Sequence, residues 1–117
     1  MRPEEHRAKA EKIERSLAKL GPDDYEMAIE AAMLAGTHWL NCALHAQGVT
    51  RAEGDVLHTY MLTINELRRL RVADAALLDA LTAIEDMRPA FVRGDVAGGP
   101  AAAEQALVLL AAIRARA

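Results

Sequence analysis

The sequence predicts an all-α protein, organised as an up-and-down four-helix bundle with an additional short helical segment. The composition is 52% hydrophobic, dominated by alanine and leucine, and contains only four aromatic residues. Apolar residues recur every three or four positions over long stretches, and proline and glycine fall between those stretches. No stretch alternates in the manner of a β-strand.

The first helix is expected over about residues 3–20, with Pro3 at an early helical position. Its first turns are highly charged, so residues 1–12 are expected to be solvated or frayed. Gly21-Pro22 ends it. The second helix, Tyr25 to Gln47, is expected to be the packing spine. One face carries small residues around a single large anchor: Ala28, Ala32, Ala35, Trp39, Ala43 and Ala46.

The second half of the chain divides into three further helices. Thr50 and Glu53 have the spacing of a capping box, which predicts a third helix over 51–71. Asp74 is expected to cap a fourth helix over about 75–87. Pro89 makes residues 88–93 a kinked extension or a separate turn, and a glycine-rich loop follows. The last helix is expected over about 100–116, with inward-facing Ala103, Ala106 or Leu107, Leu110 and Ile113.

Length, charge and cysteine content limit the possible classes of protein. The 117 residues fit one helical-bundle domain spanning residues 1–117. The net charge of −3 provides no global attraction for nucleic acid, and no DNA binding is expected. The single cysteine fits a reducing compartment. The charged N-terminus lacks the apolar core of a signal peptide, and no apolar run approaches the roughly 20 residues of a membrane span. A cytoplasmic protein without membrane association is expected.

The second helix carries the residues most suited to holding a metal ion. His38, Cys42 and His45 lie at i, i+4 and i+7, so neighbouring pairs share one face. Asp55 and His58 are the expected suppliers of further ligands, and His45 and His58 are expected to face one another across the second and third helices. The alternative is that these residues are hydrogen-bonded core or dimer-interface groups, and no cofactor is assigned.

Two other features have a functional and a structural interpretation. Cys42 could act as a nucleophile only with a lowered pKa and solvent access, whereas a mid-helix cysteine is typically a small buried apolar residue. The segment 85–94 combines opposite charges with Phe91 at the end of a core helix. Its structural interpretation is a helix terminus with local ion pairs and Phe91 closing the end of the bundle.

From Tyr25 to Ala117, the order of elements resembles that of small HEPN-type helical domains. The resemblance is carried by AIEAAMLAGTHWLNCALHAQGV, by the turn MRPAFVRGD after a leucine-spaced helix pair, and by the closing helix AAAEQALVLLAAIRA. It implies a four-helix bundle that commonly dimerises, and either RNA or protein binding or a metal-independent ribonuclease. The family's catalytic arginine would be Arg88, and the place of its histidine falls at Arg93. No histidine follows Arg88, and Arg51-x6-His58 is the one stretch with the family's spacing.

The predicted function is therefore non-catalytic: a HEPN-like homodimer that binds RNA or a protein partner. The ligand-binding residues would be His38, Cys42, His45, Arg88 and Arg93. One alternative is a ribonuclease or toxin that uses Arg51, His58 or Arg88. The other is a metal-binding bundle whose ligands come from His38, Cys42, His45, Asp55 and His58.

Overall fold

Four α-helices make up most of the computed structural model, which describes residues 1–117. They are α1 (Pro3–Leu17), α2 (Tyr25–Ala46), α3 (Ile64–Glu85) and α4 (Gly99–Ala115). A 3₁₀ turn occupies Thr59–Met61 and a π-helical segment occupies Pro89–Arg93. There is no strand, so the all-α prediction is confirmed. None of the helices combines the length and the apolar character that crossing a bilayer demands.

Helix α2 is the centre of the core and packs against each of the other three helices. Thirteen of its 22 residues are buried. The predicted small-residue face is buried except at Ala46, and Trp39 is only 1% exposed. The Trp39 indole Nε1–H donates to Glu14 of α1 over 2.7 Å, which satisfies the one polar atom of this large side chain.

Helix α1 begins at Pro3 and is ordered against α2 from its first turn. His6 and Ala10 are buried, followed on the same face by partly buried Ile13 and Leu17. The expectation that residues 1–12 are solvated or frayed therefore needs correction at these positions. The charged residues of the first turns, Glu4, Glu5, Arg7 and Lys9, are exposed, while the inward positions at i, i+4, i+7 and i+11 hold His6 and three apolar residues.

The predicted third helix over 51–71 is wrong in its first half. Residues 50–58 form no helix; the chain makes a turn at Arg51–Gly54 and then runs extended into the 3₁₀ turn. The capping box that starts α3 is Thr63 with Glu66, not Thr50 with Glu53: Glu66 N–H donates to Thr63 Oγ1 over 3.1 Å, and Thr63 N–H to Glu66 over 3.2 Å.

The two predicted helices on either side of Asp74 are joined into one interrupted helix, α3. Asp74 has non-helical angles (φ −159°, ψ 87°) and its carboxylate accepts the Leu77 N–H over 3.2 Å. It therefore caps the second half of α3 as expected, and α3 is kinked at this residue. Arg116, just beyond α4, donates to the same carboxylate over 2.7 Å. The inward-facing residues predicted for α4 are buried: Ala103, Ala106, Leu110 and Ile113.

Replacing Asp74 by alanine is expected to lower the free energy of unfolding by about 1 kcal/mol, because the Leu77 N–H loses its cap. The hydrogen bond from Arg116 lowers the pKa of Asp74 below its usual 3.8. The ionised carboxylate is therefore favoured in the folded state. Its contribution is complete above pH 3.8 and is lost as the pH falls below that value towards the folded-state pKa.

Urea unfolding of Asp74→Ala over a range of pH measures both effects. Asp79→Ala is the matched control: this aspartate lies on the same helix and pairs only with Arg71, with 59% of its side chain exposed. It is expected to change stability by less than about 0.5 kcal/mol. Equal effects of the two substitutions would contradict the capping role of Asp74.

Candidate metal centre

A partly buried cluster of two histidines and one aspartate joins α1, α2 and the segment before the 3₁₀ turn. His6 Nε2 lies 3.0 Å and His45 Nε2 lies 2.8 Å from the same Asp55 oxygen, Oδ1. The three ligand-type atoms all lie within 4.8 Å of one another. Nitrogen and oxygen ligands at about 2.0–2.1 Å from a tetrahedral ion are themselves about 3.3 Å apart. The two nitrogen–oxygen distances would therefore need to open by only a few tenths of an ångström to hold an ion.

The outer nitrogen of each histidine is held by a second group. His6 Nδ1 lies 2.9 Å from His38 Nδ1, and His45 Nδ1 lies 2.7 Å from the hydroxyl of Thr50. Metal-binding histidines characteristically have such an outer hydrogen bond, which fixes the ring orientation and the tautomer. Burial lowers the pKa of His38, and the nearby His6 lowers it further, so the neutral imidazole is favoured.

The carboxylate of Asp55 is kept ionised by its surroundings. Burial acts to raise its pKa, but hydrogen bonds from His45 and His6 outweigh burial and lower the pKa from 3.8 to about 2. The amino group of Met1 also lies 3.4 Å from both carboxylate oxygens and donates to the Ala52 carbonyl. An ionised carboxylate beside two imidazoles is a donor set that suits zinc and other divalent transition metals.

A buried amide of α2 holds the backbone segment that carries Asp55. The Asn41 side chain accepts the Val56 N–H and donates to the Val56 carbonyl, both over 2.7 Å. The preceding turn also depends on Gly48, whose φ of +72° suits glycine at the end of a helix. The chain can then turn back, so that Thr50 reaches His45.

A second imidazole–carboxylate pair lies where α3 ends. The Glu85 side chain is only 2% exposed and accepts from His58 Nδ1 over 2.9 Å, as well as from the backbone N–H and hydroxyl of Thr59. Three donors satisfy this buried charge. With its Nδ1–H donated to Glu85, a neutral His58 keeps Nε2 as a free hydrogen-bond acceptor.

A pocket of about 320 Å³ adjoins both pairs. His6, His38 and Asp55 lie at its wall, as does His58. Its remaining lining is mainly apolar: Met33, Leu34, Val56 and Leu57, with Thr37 and Asn41. The metal centre is thus next to an opening large enough for a small molecule.

The structure distributes the predicted metal ligands over different contacts. His45 and Asp55 meet, whereas His38 contacts His6 as an outer partner. Cys42 is 2% exposed, is not part of the cluster, and burial raises the pKa of its thiol. The expectation that His45 and His58 face one another needs correction, because His45 pairs with Asp55 and His58 with Glu85.

Of the residues predicted for nucleic-acid chemistry, Arg88 and His58 both lie beside Tyr60. Arg88 Nε donates to Glu30 of α2 over 2.6 Å, and this hydrogen bond raises the pKa of the guanidinium. Arg51 lies in the exposed turn before Asp55 rather than at a helix start, and Arg93 is exposed at the end of the π-helical segment.

Sequence reasoning missed His6, Glu85 and Asn41. His6 is in phase with Ala10, Ile13 and Leu17 of α1, and this spacing was a usable signal of burial. Glu85 follows Leu78 and Leu81 at seven and four positions, which places a carboxylate on an apolar stripe of α3. Asn41 carried no comparable signal, since its role depends on a segment far along the chain.

No protein family model matches the chain, and comparisons with curated proteins and with solved structures give no significant match. The resemblance to HEPN domains therefore rests on the sequence patterns alone. The site must be interpreted from its own geometry.

Asn41→Ala is expected to destabilise the protein by about 1–3 kcal/mol for each Val56 backbone group left buried without a partner. Urea unfolding checks this. Thr37→Val is the control, because the Thr37 hydroxyl bonds only to the Met33 carbonyl one turn earlier in α2. Its expected cost is below about 1 kcal/mol. If the two variants were equally stable, Asn41 would not be what holds this segment.

Proposed function

We propose that the protein binds a divalent transition-metal ion through His6 Nε2, His45 Nε2 and Asp55 Oδ1. The observation that carries this proposal is the convergence of these three atoms within 4.8 Å, from three separate parts of the chain, with both histidine side chains buried. The outer hydrogen bonds to His38 and Thr50 support it, since they orient both imidazoles towards one point.

The donor set favours zinc or iron(II) over magnesium or calcium, which prefer ligands made of oxygen alone. Three protein ligands leave at least one coordination position for water or another molecule. The proposed centre therefore resembles open metal sites rather than closed structural ones. One of the alternatives from the sequence, the metal-binding bundle, becomes the preferred function, with His6 in place of His38, Cys42 and His58.

Metal titration of the purified protein tests the proposal. Zn²⁺ or Co²⁺ is expected to bind at one ion per chain and to raise the melting temperature. His45→Gln and Asp55→Asn are each expected to abolish this binding. Cys42→Ala and His58→Gln, which change other candidate ligands, are expected to keep it. Circular dichroism shows whether each variant is folded. An unshifted melting temperature and no bound ion in the unchanged protein would refute the metal centre.

Thr50→Val is expected to weaken metal binding by about 10–100-fold while leaving all three ligands in place, because the outer hydrogen bond of His45 is lost. Competition with a chromogenic chelator measures the affinity. The substitution preserves the shape of the side chain, so a loss of affinity reports the hydroxyl itself. Unaltered affinity would show that Thr50 does not orient His45 in the metal-bound state.

We further propose, from the sequence-based prediction, that the chain forms a homodimer with a HEPN-like up-and-down arrangement. The supporting observation is a group of large apolar side chains around the 3₁₀ turn, each more than 60% exposed: Tyr60, Met61 and Ile64. Covering such a patch would stabilise a dimer or a complex with a protein partner. Binding to RNA and ribonuclease activity stay predictions; the pairing of Arg88 with Glu30 leads us to prefer the metal centre.

Light scattering at micromolar concentration is expected to give the mass of a dimer for the unchanged chain. Met61→Glu with Ile64→Glu is expected to give the mass of a monomer, because charges would be buried at the interface. Val72→Glu with Val108→Glu is the control, since both valines are exposed elsewhere on α3 and α4. A monomeric unchanged chain would contradict the homodimer.

A further inference from the structure

We infer that the pocket beside the metal centre binds a small organic acid whose carboxylate completes the metal coordination. The rest of this ligand would have an apolar body that carries one hydrogen-bond donor. The inference rests on the proposed function, because the metal supplies the first contact. It goes further in naming the class of molecule that occupies the open coordination position.

The open position of the metal would face the pocket. Two of the three proposed ligands, His6 and Asp55, lie at the pocket wall, whereas His45 lies behind them and does not line it. The protein would therefore cover the ion on the His45 side, and the side that faces the pocket would stay open. A molecule entering the pocket meets the exchangeable coordination position.

Charge selects an anion for that position. A divalent ion with one carboxylate and two neutral imidazoles keeps a net charge of about +1. With metal on Nε2, His6 donates its Nδ1–H to His38, so a neutral His38 carries its remaining proton on Nε2. His38 also lines the pocket. A carboxylate in the open position would neutralise this charge.

The rest of the pocket suits an apolar body. Met33 and Val56 are buried, while Leu34 and Leu57 are 49% and 61% exposed at the rim and would be covered by a bound ligand. The volume of about 320 Å³ is at the lower end of the range for small-molecule sites, roughly 300–1,000 Å³. Asn41 makes its hydrogen bonds to the backbone and leaves little polar capacity for the ligand.

His58 provides the one feature that favours a donor on the ligand body. Its Nδ1 is engaged by Glu85 and its ring is stacked on Tyr60 with centroids 4.7 Å apart, so in the neutral tautomer that donates Nδ1–H to Glu85 its Nε2 is an acceptor. A ligand hydroxyl or amine loses a hydrogen bond when it leaves water, and His58 Nε2 would replace that bond. Without His58, the donor would have no partner in this apolar part of the pocket. Glu85 acts as a positioning residue through His58.

The visible spectrum of the Co²⁺-loaded protein tests this inference, because it changes when a ligand enters the coordination sphere. The probes are acetate, butyrate and hexanoate, followed by hexanoates with a single hydroxyl at positions along the chain. Affinity is expected to increase from acetate to hexanoate, and at least one hydroxylated hexanoate is expected to bind as tightly as hexanoate. In His58→Phe, every hydroxylated probe is expected to bind more weakly than hexanoate.

Leu34→Asp places a negative charge at the pocket rim and is expected to weaken hexanoate binding by about tenfold, while Co²⁺ stays bound. Val108→Asp is the matched control, because Val108 is exposed on α4, and it is expected to leave hexanoate affinity unchanged. A Co²⁺ spectrum that no carboxylate alters would overturn the inference while leaving the metal centre intact. Failure to bind Co²⁺ at all would instead overturn the proposed function. Equal effects of Leu34→Asp and Val108→Asp would place the acid outside this pocket.

Discussion

The candidate site depends on the pair of hydrogen bonds between Asn41 and Val56. Residues 50–58 have neither helix nor sheet to satisfy their backbone groups, and a buried backbone group without a partner is costly. Asn41 supplies a donor and an acceptor in one rigid amide, both 2.7 Å from the Val56 backbone. Because Val56 is fixed, Asp55 is held against the histidines of α1 and α2, and His58 is held against Glu85 of α3.

The cost of this arrangement is a core with an unusual share of polar groups. His6, Asn41, His45, Thr59 and Glu85 are all buried in a small domain whose other buried residues are mostly alanine and leucine. Every buried side-chain nitrogen and oxygen has a hydrogen-bond partner. Apolar residues at these positions would stabilise the fold with less geometric demand. Asn41 holds the segment that carries Asp55, whereas the imidazole–carboxylate pairs support the proposed metal centre.

The sequence was sufficient for the helices but not for the segment that forms the site. Periodicity located α2 to within a residue, because Trp39 and the small residues around it repeat at helical spacing. Thr50 and Glu53 led to the wrong prediction of a helix over 51–71, because they have the spacing of a capping box. Such a box contributes only about 1–2 kcal/mol, and the contacts made by Asn41 and Asp55 outweigh it. These contacts join residues 10 to 49 positions apart, so they cannot be predicted from local sequence patterns. For the same reason His6 looked like part of a charged first turn.

The outer hydrogen bonds of the cluster could reverse direction if a metal ion replaced the protons on the two Nε2 atoms. Without metal, His6 and His45 both donate Nε2–H to Asp55, and their Nδ1 atoms accept from His38 and Thr50. A metal on the two Nε2 atoms moves each proton to Nδ1, so both outer bonds must reverse direction. A hydroxyl and an imidazole can each donate or accept, whereas a lysine or a backbone N–H in the same place could not. The protein would therefore take up the ion without leaving either histidine unpaired, and the reversal would leave His38 with a free Nε2–H.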